Sequence, residues 1–143
     1  MSKKIVEVAS VFVCYKNHYL FLQRSLSNHS WPGWFCTPGG KKETRDKDLY
    51  DTGLRELTEE TDIRKTQIFD YMRIGTKRFQ HDKTYDYHYF ITRLRKFPTI
   101  KLMPSEMGYV WINLNDALGS PSITPATYHG IQLAIKHTTE KYS

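Results

Sequence analysis

The sequence predicts an α/β fold, a sandwich of helices around a mixed β-sheet, and three observations carry that prediction. Segments with alternating apolar and polar residues, rich in Val, Phe and Tyr, recur along the chain. Helical periodicity appears at two separated places, one central and one near the C-terminal end. No repeat, low-complexity tract or linker breaks the 143 residues, so a single domain over 1–143 with one core is expected. Strands interleaved with helices in this way give an α/β sandwich with a mixed sheet.

The elements follow in order. Ile5 to Cys14 alternates imperfectly and reads as a strand. Lys16-Asn17 reads as a turn, because Asn tolerates positive φ, and Tyr19 to Gln23 as the returning strand. Ser25 to Gly33 is polar and broken by Pro32 and Gly33, the signature of a loop. Trp34 to Thr37 is a short strand, which Pro38-Gly39-Gly40 is expected to stop with a sharp turn. From about Asp48 to Thr61 the period is helical, with Leu49, Gly53, Leu54 and Leu57 on one face. Two strands are expected near Ile68 to Arg78 and Tyr85 to Leu94, and another over Tyr109 to Ile112. Asn113 or Asn115 caps a short helical turn. Thr124 before Pro125 reads as an N-cap and first helical residue, opening a last helix with the stripe Tyr128, Ile131, Ala134 and Ile135.

Composition narrows the function. Apolar residues make up 39% and charged residues 25%, the balance of a globular chain. No apolar run reaches the ~20 residues of a membrane span, and the opening Met1-Ser2-Lys3-Lys4 leads into an alternating segment, unlike a secretory signal. Cys14 and Cys36 sit in strand-like runs and read as buried, reduced thiols, which suits a cytoplasmic protein. The formal charge of +6 favours polyanionic ligands such as nucleotides, RNA or polyphosphates. None of the six histidines has metal-ligand spacing. No phosphate-binding Walker loop or dinucleotide fingerprint occurs, which removes support for an ATPase or an oxidoreductase.

The informative stretch is Trp34-Phe35-Cys36-Thr37-Pro38-Gly39-Gly40, followed by a polar loop and then Arg55-Glu56-Leu57-Thr58-Glu59-Glu60-Thr61. On a helix Glu56 stacks near Glu59 and Glu60. Like charges at that spacing repel, and a gathered cation reverses the cost. Carboxylate oxygens are the donors preferred by Mg²⁺ and Mn²⁺. For such a motif in isolation, a solvated face with Arg55–Glu59 pairing is the better explanation. The preceding strand and glycines add backbone groups to the same spot.

Together these residues resemble the Nudix box. That box reads Gly, five residues, Glu, seven residues, Arg-Glu, an aliphatic residue, any residue, Glu-Glu, any residue, Gly, and an aliphatic residue. Gly40 matches its first glycine, and Arg55, Glu56, Leu57, Glu59, Glu60 and Ile63 match its second half. Gln23-Arg24 and Trp34 to Gly40 resemble the family's approach to the box. The span from Gly40 to Arg55 is one residue longer than the family spacing. Asp46 stands at the first glutamate when counted forward, Lys47 when counted back, and Asp62 at the last glycine.

The resemblance implies a Nudix-type α/β/α sandwich and a MutT-like pyrophosphohydrolase dependent on Mg²⁺ or Mn²⁺. Glu56, Glu59 and Glu60, with the Gly40 carbonyl, would hold the metal, and Arg55 would orient the glutamates. The general base falls among Glu59, Glu60 and Glu106, the last expected in a loop before the Trp111 strand. Glu43 is a further candidate ligand. Arg24, Lys41 and Arg78 are candidate phosphate contacts, and Trp34, Phe35 and Tyr87 candidate stacking partners for a base. The leading substrate is a (d)NTP cut to a monophosphate and pyrophosphate. ADP-ribose, a dinucleoside polyphosphate, a sugar nucleotide or capped RNA is the alternative, and a non-catalytic Nudix-fold binding module is the alternative of another class. The expected partner is a nucleotide-like small molecule, with no membrane, for a monomer or homodimer. The extra residue is expected between Lys41 and Lys47, with Asp46 or Asp48 near the helix N-cap, leaving the helix unbroken.

Overall fold

The computed structural model describes residues 4–142, except for the side chains of 140–142; Met1, Ser2 and Lys3, read above as the start of a non-secretory segment, lie outside it. Strand β1 (Ile5–Tyr15) turns at Lys16 and Asn17, both at positive φ, into β2 (His18–Arg24). After the 25–34 loop come two very short strands, β3 (Phe35–Cys36) and β4 (Gly39–Lys41). Helix α1 (Leu49–Thr61) leads through a short 3₁₀ turn to the long hairpin β5 (Ile68–Gln80) and β6 (Thr84–Leu94). The chain ends with β7 (Glu106–Ile112), the short α2 (Leu114–Leu118) and α3 (Pro125–Tyr142). No helix among the described residues is long and apolar enough to cross a membrane.

The seven strands form one mixed sheet in the order β3-β2-β1-β6-β5, with β4 paired to β1 and β7 to β2. The β1–β6 pairing is parallel and the others are antiparallel. Alternation along β1, β2 and β6 sends side chains to two cores. Val11, Val13, Leu20, Leu22 and Phe90 pack with Leu49 and Leu57 of α1. Phe12, Tyr19, Phe21, Tyr89 and Ile91 pack with α2 and α3 on the other face. The expected α/β/α sandwich is the observed one.

Four local readings need correction. Pro38-Gly39-Gly40 is not a sharp turn. Gly39 and Gly40 are extended in β4, opposite Ser10 and Ala9, and Gly33 is the only glycine at positive φ among the described residues. Glycine is required there by close approach. A Cβ at Gly39 would run into the Ala9 carbonyl, and one at Gly40 would sit 2.5 Å from the Glu56 carboxyl carbon. Glu106 opens β7, paired with Arg24, and is not in a loop. Tyr128 is exposed; the buried seam of α3 is Thr127, Gly130, Ile131 and Ala134. Cys14 and Cys36 are free thiols as expected, but only half-buried.

The helix that positions the site begins as its sequence dictates. The Asp48 carboxylate accepts from the Asp51 N–H at 2.9 Å, closing the N-terminus of α1. The helix then runs unbroken to Asp62, whose φ of 64° terminates it in the left-handed region. Between Gly40 and Arg55, irregular backbone is confined to residues 42–48, before the helix starts.

Candidate active site

Arg55 is the hub of the acidic helix. Its Nε and one terminal nitrogen grip Asp46 at 2.9 and 3.0 Å, a bidentate clamp. That same nitrogen donates to the Lys41 carbonyl at 3.1 Å. The other terminal nitrogen reaches Glu56 at 3.0 Å and Glu59 at 3.1 Å. Asp46, expected as an alternative to Asp48 near the helix N-cap, is not the cap but is buried, at 6% exposure. It also accepts from the Thr52 hydroxyl and the Glu43 N–H, both at 2.9 Å. The Arg55 hydrogen bonds hold its carboxyl well below the usual carboxylate range. Asp46 thus fixes Arg55, and Arg55 fixes the glutamates. Glu59 is the most exposed of them and is also drawn outward by Arg45 at 3.0 Å. Glu43 pairs with Arg45 at 2.6 Å on the surface.

Glu60 points the other way. Its Oε1 accepts the Gly39 N–H at 2.7 Å, while the Glu56 carboxylate lies against Gly40. The two glutamates thereby lace α1 to β4. Burial raises the Glu60 carboxyl well above its ordinary value, and the neighbouring Glu106 and Glu56 charges add to the effect. Glu106 is also raised by burial, and its Oε2 is buried without a hydrogen-bond donor. Glu56 is raised, again chiefly by burial. Two partly buried acids in mutual hydrogen-bond contact, one with an orphaned oxygen, form a site short of donors.

A hard divalent cation fits this donor set, which offers only oxygens. Among the described residues, no three acidic, His or Cys side chains yet converge on one point. The geometry accounts for this: Arg55 holds Glu56 and Glu59, and Gly39 holds Glu60.

Of these residues, Glu60, Gly39, Gly40 and Lys41 border a cleft of about 730 Å³. Its walls include Gly39, Gly40, Lys41 and Glu60 at one end and Trp31, Phe79, Tyr85 and Tyr87 elsewhere, with Arg24 among them. Of the predicted contacts, Arg24, Lys41 and Tyr87 therefore line the cleft. Arg78 does not. It alternates with Phe79 on β5 and is clamped by Asp86 at 2.7 and 2.9 Å, so a phosphate contact is not assigned to it. Trp34 and Phe35 do not line the cleft either; Trp34 braces Trp31 at 4.8 Å between ring centroids, and Phe35 packs into the α3-side core. The sequence reading missed Trp31, Phe79 and Tyr85 as cleft residues. A tryptophan standing alone in a polar loop was the available signal.

Comparison with known proteins matches the chain to one family and one fold. The NUDIX domain family model matches residues 4–132. The MutT protein from Methanosarcina mazei Go1 superposes with a TM-score of 0.76 at 23% identity, covering 100% of this chain and 99% of that one. A C. elegans Ap4A hydrolase binary complex superposes at 0.75 with 18% identity, covering 94% and 98%. The NUDIX domain of Shewanella oneidensis NrtR, complexed with ADP ribose, superposes at 0.74 with 21% identity, covering 96% and 90%.

Proposed function

The chain belongs to the NUDIX family and is a pyrophosphohydrolase of that family; from this premise we propose that it hydrolyses a diphosphate linkage in a nucleotide, with Mg²⁺ or Mn²⁺ as cofactor. The observation that carries the reading is the donor-poor Glu60–Glu106 pair beside Gly39 and Gly40, at the edge of a cleft with an aromatic wall. A (d)NTP cut to a monophosphate and pyrophosphate is the leading substrate. A larger diphosphate, such as ADP-ribose, a dinucleoside polyphosphate, a sugar nucleotide or capped RNA, is the second reading. The cleft volume of about 730 Å³ favours keeping it, as do the Ap4A hydrolase and the ADP-ribose complex among the similar structures. A cytoplasmic location suits either substrate.

In this proposal Glu56, Glu59 and Glu60, with the Gly40 carbonyl, hold the divalent ion. Bound there, such an ion neutralises phosphate oxygens and lowers the pKa of a coordinated water. Arg55, fixed by Asp46, keeps Glu56 and Glu59 in place. Arg24 and Lys41 line the cleft and meet the substrate's phosphate charge. The Oε2 of Glu106 is buried without a donor, so it is free to take the proton of the attacking water. Water oxygen bonds to phosphorus, the bridging P–O bond breaks, and the released phosphate leaves with the bond's electron pair.

The test is a panel of nucleotides with Mg²⁺ or Mn²⁺, with products identified by mass. Nucleotides with a diphosphate should be cut, and simple phosphate monoesters ignored. Faster cleavage of p-nitrophenyl phosphate than of any nucleotide would contradict the proposal.

A further inference from the structure

Two arginines share the exposed carboxylates of the site, and only one of them is locked in place. The Arg55 side chain is 13% exposed and the Arg45 side chain 62%. Arg55 is clamped by Asp46, which Thr52 and the Glu43 N–H hold in turn, and it also donates to the Lys41 carbonyl. That guanidinium therefore stays whatever binds nearby. Arg45, from the 42–48 loop, has no such anchor. Its hydrogen bonds go to two exposed carboxylates, from Nε to Glu43 at 2.6 Å and from a terminal nitrogen to Glu59 at 3.0 Å. Glu59 gives one oxygen to Arg45 and the other to Arg55. Glu43 gives one oxygen to Arg45 and holds the other 3.6 Å from Arg55.

The backbone under Arg45 is pinned. The Glu43 N–H donates to the Asp46 carboxylate at 2.9 Å, and the Asp46 N–H to the Glu43 carbonyl at 3.0 Å. Arg45 can leave Glu59 by a side-chain rotation alone, a fast motion for an exposed residue. Its ion pairs are of the kind that solvent and salt weaken most. A hard divalent cation makes a stronger bond to the same oxygens. On one carboxylate the cation and the guanidinium would be close neighbours of like charge, and they repel.

We propose that Arg45 competes with the divalent cation for Glu59, so that Arg45 weakens metal binding and is turned off Glu59 when the metal binds. This rests on the reading of Glu59 as a metal ligand given above, and it adds what regulates that site. The two arginines then have opposite roles. Arg55 keeps Glu56 and Glu59 in place for the cation, whereas Arg45 holds Glu59 against it. Metal affinity is set by a contest inside the chain, and salt shifts that contest because it screens the exposed Arg45 pairs.

The experiment measures Mn²⁺ binding by calorimetry, without nucleotide, for the wild type, Arg45→Ala, Arg45→Lys, Glu59→Gln and the double variant Arg45→Ala with Glu59→Gln. At low salt, Arg45→Ala should bind Mn²⁺ about fivefold more tightly than the wild type, the most that an exposed ion pair commonly withholds. Arg45→Lys keeps the charge and should stay close to the wild type. The gap between the wild type and Arg45→Ala should shrink at about 1 M salt, where the Debye length falls to about 3 Å. In the Glu59→Gln chain, Arg45→Ala should bring little further gain, because the residue it competed for is gone. A merely structural role for Arg45 would lower the melting temperature without metal and would not produce this salt-dependent gap. Equal or weaker Mn²⁺ binding by Arg45→Ala would overturn the proposal and leave the metal reading standing. So would a gain from Arg45→Ala that survives Glu59→Gln in full. Absence of Mn²⁺ binding by every one of these chains would overturn the metal reading itself, and the proposal with it.

Discussion

Two buried or partly buried carboxylate groups flank α1 and differ in one respect. Asp46, before the helix, has donors on both oxygens, from Arg55, Thr52 and the Glu43 backbone. Glu60 and Glu106, at the other end, contact each other and, among the described residues, receive one backbone donor, the Gly39 N–H, and a long contact from the Ser105 hydroxyl at 3.3 Å. The Asp46 carboxyl is accordingly held low and the Glu60 carboxyl pushed high. A protein that can satisfy one buried acid so fully has left the other short of positive charge. The first group holds the architecture of the site, and the second is where a ligand's charge is wanted.

The largest effect should follow from the unsatisfied side. Glu60→Gln should lower nucleotide hydrolysis by orders of magnitude while circular dichroism shows the fold intact. The sign of its stability effect is set by the raised carboxyl. A folded-state value above the unfolded one contributes stability that is present below about pH 4 and lost as pH rises through the folded value. Without metal near pH 7, Glu60→Gln should therefore melt no lower than the wild type. A strongly destabilised variant would make Glu60 a second Asp46 and break the comparison.

The next effect is on stability. Asp46→Ala leaves Arg55 without its clamp and should cost about 3–5 kcal/mol in urea unfolding. Here the folded value is depressed, so the contribution is present above about pH 4 and lost as pH falls further. The gap between wild type and Asp46→Ala should narrow in acid. A variant as stable as the wild type near pH 7 would remove the structural half of the account.

How much of this was legible in the sequence depends on range. The α1 helix, its Asp48 cap and the acid spacing on its faces are local and were read from period and residue type. Gly39 and Gly40 were misread as a turn because their reason is tertiary: the Ala9 carbonyl and the Glu56 carboxylate press on their α-carbons. Arg78 was misread because only strand register sets it opposite Asp86. Asp46 was legible only as a residue near the helix start; its clamp on Arg55, nine positions along the chain, is set by the folded loop.

The smallest effect concerns Cys36, which lines the cleft beside the acid pair. Burial pushes its thiol up to about 12, with Glu106 and Glu60 adding to the shift. Iodoacetamide at pH 8 should label Cys36 far more slowly than free cysteine, as read by mass of the modified peptide. Labelling at the rate of free cysteine would mean that the negative potential assigned to this end of the cleft is absent.

The most direct test of the central claim is the melting temperature of the wild type and Glu60→Gln as Mn²⁺ is titrated in without nucleotide. A cation held by the native state alone raises stability with its concentration. The wild type should show a saturable rise in Tm, and Glu60→Gln little or none. A wild-type Tm that does not respond to Mn²⁺, or a Glu60→Gln response equal to the wild type's, would contradict the assignment of Glu60 to a metal.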